Sequence, residues 1–165
     1  MDRAGTQIIK VPLSPPEVRI AKYIGKLRNE YSLETKPNAR RDPSQTDEEM
    51  NIQAFGAELA VAKLLNVYPD LTPTKGDLPK WDLALRKLRY EVKRNHLDDG
   101  DLLVPKLNRD LMYILACGGL PEYRIIGYLQ GTSVEILGEW VELTYGPCWR
   151  VHPKHLRSMA TFFTG

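Results

Sequence analysis

The sequence predicts a single α/β (α+β) domain in which a helix is followed by a mixed sheet of about five strands flanked by helices. Three observations carry that expectation. A capped helical pattern occupies residues 46–66, apolar and polar residues then alternate over Trp81–Lys93, and three short apolar segments bounded by Pro, Gly or charge come after them. With 165 residues the chain can bury one real core and is too short for two full-sized ones, so one site is expected within residues 1–165.

Hydrophobic residues make up 42% and charged residues 27%, a balance that excludes wholesale disorder. The formal net charge of +2 permits a local basic patch but does not by itself argue for nucleic-acid binding. Cys117 lies in an apolar run and Cys148 near the C-terminus, neither with a partner at metal-ligand spacing, so both are expected to be packed, reduced thiols. Met1–Lys10 carries early charges without an apolar signal core, and no stretch reaches the ~18 apolar residues that span a bilayer. A soluble, cytoplasmic chain with no membrane partner is the expectation.

Taking the elements in order, Val18, Ile20, Ala21, Ile24 and Leu27 fall near helical spacing between Pro15 and Tyr31. Ser14 is the N-cap of this helical extension, which covers residues 1–31. Residues 32–46 read as an exposed basic loop, because Lys36, Pro37, Asn38, Arg40, Arg41, Asp42 and Pro43 bring charge and turn formers with almost no apolar content. Lys36, Arg40 and Arg41 are candidates for tracking a phosphate backbone, and a solvated linker explains the same composition equally well.

Thr46-Asp47-Glu48-Glu49 is a capping box with acids at the positive end of the helix dipole, and its helix runs to about Asn66. Trp81–Leu85 and Leu88–Lys93 read as two strands, and Leu102–Val104, Leu111–Cys117 and Tyr123–Leu129 as three more. Pro105–Asp110 is expected to form a brief helical turn. Within the C-terminal segment 131–165, Pro153–Phe162 reads as a helix with Pro153 at its first position.

Two anomalies point to chemistry. On a helix, the neighbours of Glu58 three and four positions away are Ala54, Phe55, Val61 and Ala62, so this carboxylate lies on an apolar stripe. Such a group must be neutralised, paired with an arginine such as Arg89, or bound to a metal. The second anomaly lies in the strands: if Arg86 and Lys87 alone form the turn, Asp82 falls opposite Glu91, with Cβ atoms ~5 Å apart, and a divalent cation between them relieves the repulsion. Lys93 shares the face of Glu91 while Val92 points away. Asp77 competes with Asp82 for the aspartate position, and a solvated sheet face is the alternative for the pair.

Glu58 within Phe55-Gly56-Ala57-Glu58-Leu59-Ala60, then Trp81-Asp82, then Glu91-Val92-Lys93, resembles the PD-(D/E)XK nuclease superfamily over residues 47–130. The order is similar above all to small phage-encoded and Holliday-junction resolvase-like members, and the strands after the motif resemble theirs as well. What the resemblance implies is a restriction-endonuclease-like core hydrolysing DNA, branched DNA included, through a water activated by Mg²⁺ or Mn²⁺, with the chain as a monomer or a homodimer. It makes Asp82, Glu91 and the backbone carbonyl of Val92 the metal ligands. Lys93 becomes the water-positioning residue, and Glu58 an auxiliary acid acting through a water or a second ion. Trp81 stands where the motif's name has proline. Arg94, Asn95 and His96 follow the lysine, and Arg94 and Asn95 are phosphate-contact candidates, though a polar strand end accounts for them equally. A catalytically silent module of the same fold, binding nucleic acid or a host protein, is the competing expectation.

Other features are read as structural. Asp98-Asp99-Gly100-Asp101 lacks the ligand pattern of a calcium loop and is expected to turn, and His152 and His155 have no acidic third ligand for zinc. Tyr145, Trp149 and Arg150 are candidates for stacking on a base, though packing against the sheet is the expected use of the aromatics.

Overall fold

The alternation read from the sequence becomes a sheet whose two faces bury two separate cores. In the computed structural model, which describes residues 7–35, 46–72 and 81–163, five strands run in the order β1 (Ile9–Pro12), β6 (Glu122–Gln130), β5 (Met112–Gly119), β3 (Leu88–Asn95) and β2 (Leu83–Leu85). β3 and β5 are parallel and the other neighbours antiparallel, so the sheet is mixed and flanked by helices, as the pattern predicts.

Met112, Ile114 and Ala116 of β5, with Tyr90 and Val92 of β3, meet helix α2 (Asp47–Leu65), which helix α1 (Pro15–Thr35) covers in turn. Tyr113, Leu115 and Cys117 point the other way, toward Leu102 and Val104 of β4 (Leu102–Val104), Val134 of α3 (Gly131–Leu137) and Val151 of β8 (Gly146–Val151). β6 serves both cores through a bulge. Leu115 pairs with Gly127 and Ala116 with Ile125, leaving Ile126 as the extra residue. Ile125 and Tyr128 therefore both face the helices, while Ile126 and Leu129 face the other core.

β4 is not a member of the main sheet. It pairs with β8, and β8 with β7 (Glu139–Leu143), in a separate antiparallel sheet. Direct parallel pairing of β3 with β5, from Tyr90↔Met112 to Asn95↔Cys117, leaves β4 no edge between them. The fifth place goes to β1, whose four residues are too few for alternation to announce a strand. Pro105–Asp110 does not form the helical turn expected. The Tyr113 hydroxyl accepts the Asn108 N–H (2.9 Å) and Asn108 Oδ1 accepts the Asp110 N–H (2.9 Å), side-chain bonds that replace helical ones.

Thr46 caps α2 by accepting the Glu49 N–H at 3.2 Å, and Asn66 closes it in the left-handed conformation, both where the sequence places them. Ser14 and Glu17 cap α1 reciprocally. The ammonium of Lys63, 2.8 Å from Glu17, holds that carboxyl below the usual carboxylate range. α1 continues to Thr35, so residues 32–35 are helix and not the start of a basic loop. Its buried Arg28 and Asn29 keep this half of the helix docked on α2. Lys36, Arg40, Arg41 and Asp77 lie outside the described residues.

The terminal helix is also broken. Pro153–His155 is a 3-10 turn and Met159–Phe162 a separate helix, α4, because Arg157 pairs with Tyr128 (N···O 2.8 and 2.9 Å) and extends the β6 edge beyond β1. Tertiary pairing overrides the local helical pattern here. Cys117 and Cys148 are buried and unbridged, and burial pushes the Cys117 thiol up to about 11. No helix among the described residues is long and apolar enough to cross a membrane.

The seating of α2 against β6 depends on Gly56. The Tyr123 hydroxyl donates to the Gln53 carbonyl at 2.8 Å, and a Cβ at Gly56 would lie 2.2 Å from that hydroxyl. Gly56→Ala is expected to destabilise by about 1–3 kcal/mol through overpacking, outweighing alanine's helix preference of about 1 kcal/mol. Urea denaturation should show a lower midpoint with an unchanged slope.

Candidate active site

The β2–β3 hairpin turns on Arg86 and Lys87 alone, both at positive φ (51° and 68°). That is the left-handed backbone conformation with which a two-residue turn matches the right-handed twist of its strands, here adopted by two exposed basic residues instead of Asn-Gly. The register Leu83↔Tyr90, Ala84↔Arg89 and Leu85↔Leu88 is the one the spacing predicts, and it stops short of Asp82 and Glu91. Asp82 sits one residue outside β2. Its N–H donates to the Tyr90 carbonyl (2.9 Å), and its Oδ2 accepts the Val92 N–H (2.8 Å). The Asp82 carboxylate therefore lies along the backbone edge of β3 instead of standing on one face with Glu91.

This edge is available because β2 begins only at Leu83, opposite Tyr90, so β3 continues past its partner. In an extended strand the N–H and C=O of one residue point the same way, and the Val92 carbonyl opens on the edge that Asp82 caps. A cleft of about 700 Å³ wraps around it. Met50, Ala54 and Glu58 of α2 line the cleft from one side, and Leu143, Tyr145 and Arg150 from the β7–β8 hairpin. Tyr90 and Val92 belong to the helix-side core, so Glu91 and Lys93 project to the opposite face. Glu58 arrives from the helix side, and all four predicted residues, Glu58, Asp82, Glu91 and Lys93, line this one cleft.

Each acid has an internal partner. Oε2 of Glu58 is 2.9 Å from Nη1 of Arg28, and both residues are 6% exposed. Arg28 also donates to the carbonyls of Thr72 (3.2 Å) and Asp70 (3.1 Å), and its guanidinium lies 4.7 Å over the Phe55 ring. Arg89, the partner suggested by sequence, instead lies 4.1 Å over Trp81. Glu91 and Lys93 form an ion pair at 2.5 Å. Among the described residues, no three Asp, Glu, His or Cys side chains gather at metal-ligand spacing. Carboxylates sharing a cleft repel one another, and each of these takes a nearby cation or N–H.

The donor set nevertheless suits a hard divalent ion. Asp82, Glu91 and the Val92 carbonyl offer only oxygen, and Mg²⁺ takes one or two carboxylates while keeping several waters. Glu58 stands apart, since Arg28 already supplies its counter-charge. Arg94 and Asn95 line the cleft with their polar groups engaged: Arg94 Nε donates to the Gly118 carbonyl (2.8 Å), and Asn95 bridges Asp101 and Leu97 (3.0 Å each). Both shape the rim.

Two residues here, Arg28 and Tyr113, do not stand out in the sequence. Arg28 extends the buried stripe Ala21, Ile24, Arg28 on α1, a lone cation facing the stripe that carries a lone acid on α2. Tyr113 stands beside Glu91 in the β3–β5 register, its phenol pKa raised by burial and its hydroxyl holding Asn108. Tyr145, read as sheet packing, lines the cleft. Comparison with known protein families, with characterised proteins and with solved structures yields no match.

Proposed function

We propose that this chain is a metal-dependent DNA endonuclease of the PD-(D/E)XK kind, with a restriction-endonuclease-like core, acting on DNA that includes branched forms. One observation carries the reading: Glu58 on a helix and Asp82, Glu91 and Lys93 on the following hairpin line a single cleft, in the order the resemblance requires. In this reading Asp82, Glu91 and the Val92 carbonyl hold Mg²⁺ or Mn²⁺, which supplies an activated water and stabilises charge on the cleaved phosphodiester. Lys93 orients that water, and its ion pair with Glu91 places the ammonium beside the acids. Glu58 holds the helix side of the cleft through Arg28. A cytoplasmic location and a homodimer belong to the same proposal.

A second reading, a silent nuclease-fold module that binds nucleic acid or a host protein, is favoured by the buried Glu58–Arg28 pair and the lack of a three-acid cluster among the described residues. Cleavage of plasmid and branched DNA in Mg²⁺ or Mn²⁺, with EDTA as control, separates the two. The enzyme should cut with either ion and stop in EDTA. No cleavage, with no heat of Mn²⁺ binding by calorimetry, selects the module.

A further inference from the structure

Glu91 and Lys93 also line a second cleft, of about 1060 Å³, which Asp82 and Glu58 do not reach. Its wall is the β4–β5 connection carrying Lys106, Asn108, Arg109 and Asp110. That wall is fixed from beneath. Tyr113 holds Asn108, the Leu111 N–H donates to the Asn108 carbonyl (3.2 Å), and a Cβ at Gly131 would lie 2.4 Å from that carbonyl oxygen.

The two clefts differ in charge. In the first, five carboxylates face Lys93, Arg94 and Arg150. In the second, Glu91 and Asp110 face Lys93, Lys106 and Arg109, of which Lys106 and Arg109 are exposed and Arg109 is paired with Glu135. The first cleft has two more acids than these cations and draws a divalent cation, whereas the second, counting the Glu135 beside Arg109, is balanced and offers a phosphate backbone the exposed Lys106 and Arg109 without that acidic excess; the two clefts meet at Glu91 and Lys93. We infer that the second cleft is the track of the nucleic-acid backbone, with Lys106 and Arg109 contacting phosphates on one side of the bond to be cut. This rests on the nuclease reading of Glu91 and Lys93.

The test is fluorescence anisotropy of a labelled DNA oligonucleotide with Ca²⁺ as the ion, titrated over a range of salt, for wild type, Lys106→Ala, Lys106→Arg and Lys106→Ala/Arg109→Ala. Losing one phosphate contact should lower the slope of log affinity against log salt by about 0.7–0.9, with the double variant losing more and Lys106→Arg keeping the wild-type slope. Lys106 is exposed, so circular dichroism melting should be unchanged. If wild type cuts DNA and Lys106→Ala keeps the full slope, the track is overturned while the nuclease reading stands. If wild type neither binds nor cuts any DNA, the nuclease reading falls and takes the track with it.

Discussion

Arg28→Ala is expected to remove about 3–5 kcal/mol of stability, a large part of the margin of a domain this size. The substitution leaves Glu58 buried without its 2.9 Å partner and strips donors from the carbonyls of Asp70 and Thr72. Desolvation decides the magnitude. An exposed ion pair contributes no more than about 1 kcal/mol, but both partners here are 6% exposed, so the remaining carboxylate cannot recover its solvation from water. Thermal melting should fall by roughly 6–20 °C, at about 2–4 °C per kcal/mol for a chain of this length. Arg28→Lys should lie between, because an ammonium restores the charge but not the planar fork that serves Glu58, Thr72 and Asp70 together. Replacing both Arg28 and Glu58 with apolar residues of similar volume should cost far less than either single change. A loss below about 1 kcal/mol for Arg28→Ala would show that the pair is solvated and that α1 is not docked through it.

The same pair marks what was legible in the sequence. Glu58 stands out because its helical neighbours are apolar, a local property of one helix. Its partner does not, because the contact between α1 and α2 joins residues 30 positions apart and depends on how two stripes meet. The hairpin register was legible for the opposite reason: alternation and a two-residue turn settle it within ten residues. The orientation of the Asp82 carboxylate was not, since it depends on β2 beginning only at Leu83 and exposing the Val92 N–H.

Strands were easier to place than sheets. The apolar run Leu102–Val104 is a strand, but its membership of the second sheet follows from β3 and β5 pairing directly and from β8 lying free to receive it. β7 and β8 pass as undifferentiated chain because Glu139-Trp140-Val141-Glu142-Leu143 breaks alternation at Trp140-Val141. At the C-terminus helical spacing over Pro153–Phe162 is real, yet the backbone bonds of Arg157 to Tyr128 outweigh it.

The largest effect on activity in the proposed reading belongs to the Glu91–Lys93 pair, and the two residues should fail in different ways. Lys93→Ala should lower kcat by about 10²–10⁴, the range for losing a group that positions or transfers a proton. It should leave Mn²⁺ affinity equal or higher, because the 2.5 Å ion pair no longer competes for the Glu91 carboxylate. Glu91→Ala should lose about 10²-fold or more in turnover together with Mn²⁺ binding, since it removes one of the oxygen donors that hold the ion in this reading. Neither loss should reflect unfolding, because the pair is partly solvated and the stability change should stay within about 1 kcal/mol. Cleavage assays combined with Mn²⁺ calorimetry on both variants read this split. Equal cleavage by wild type and both variants would assign the activity to a contaminant. Loss of metal binding in Lys93→Ala would mean that the ammonium organises the acids themselves, and would move Lys93 from handling water to building the site.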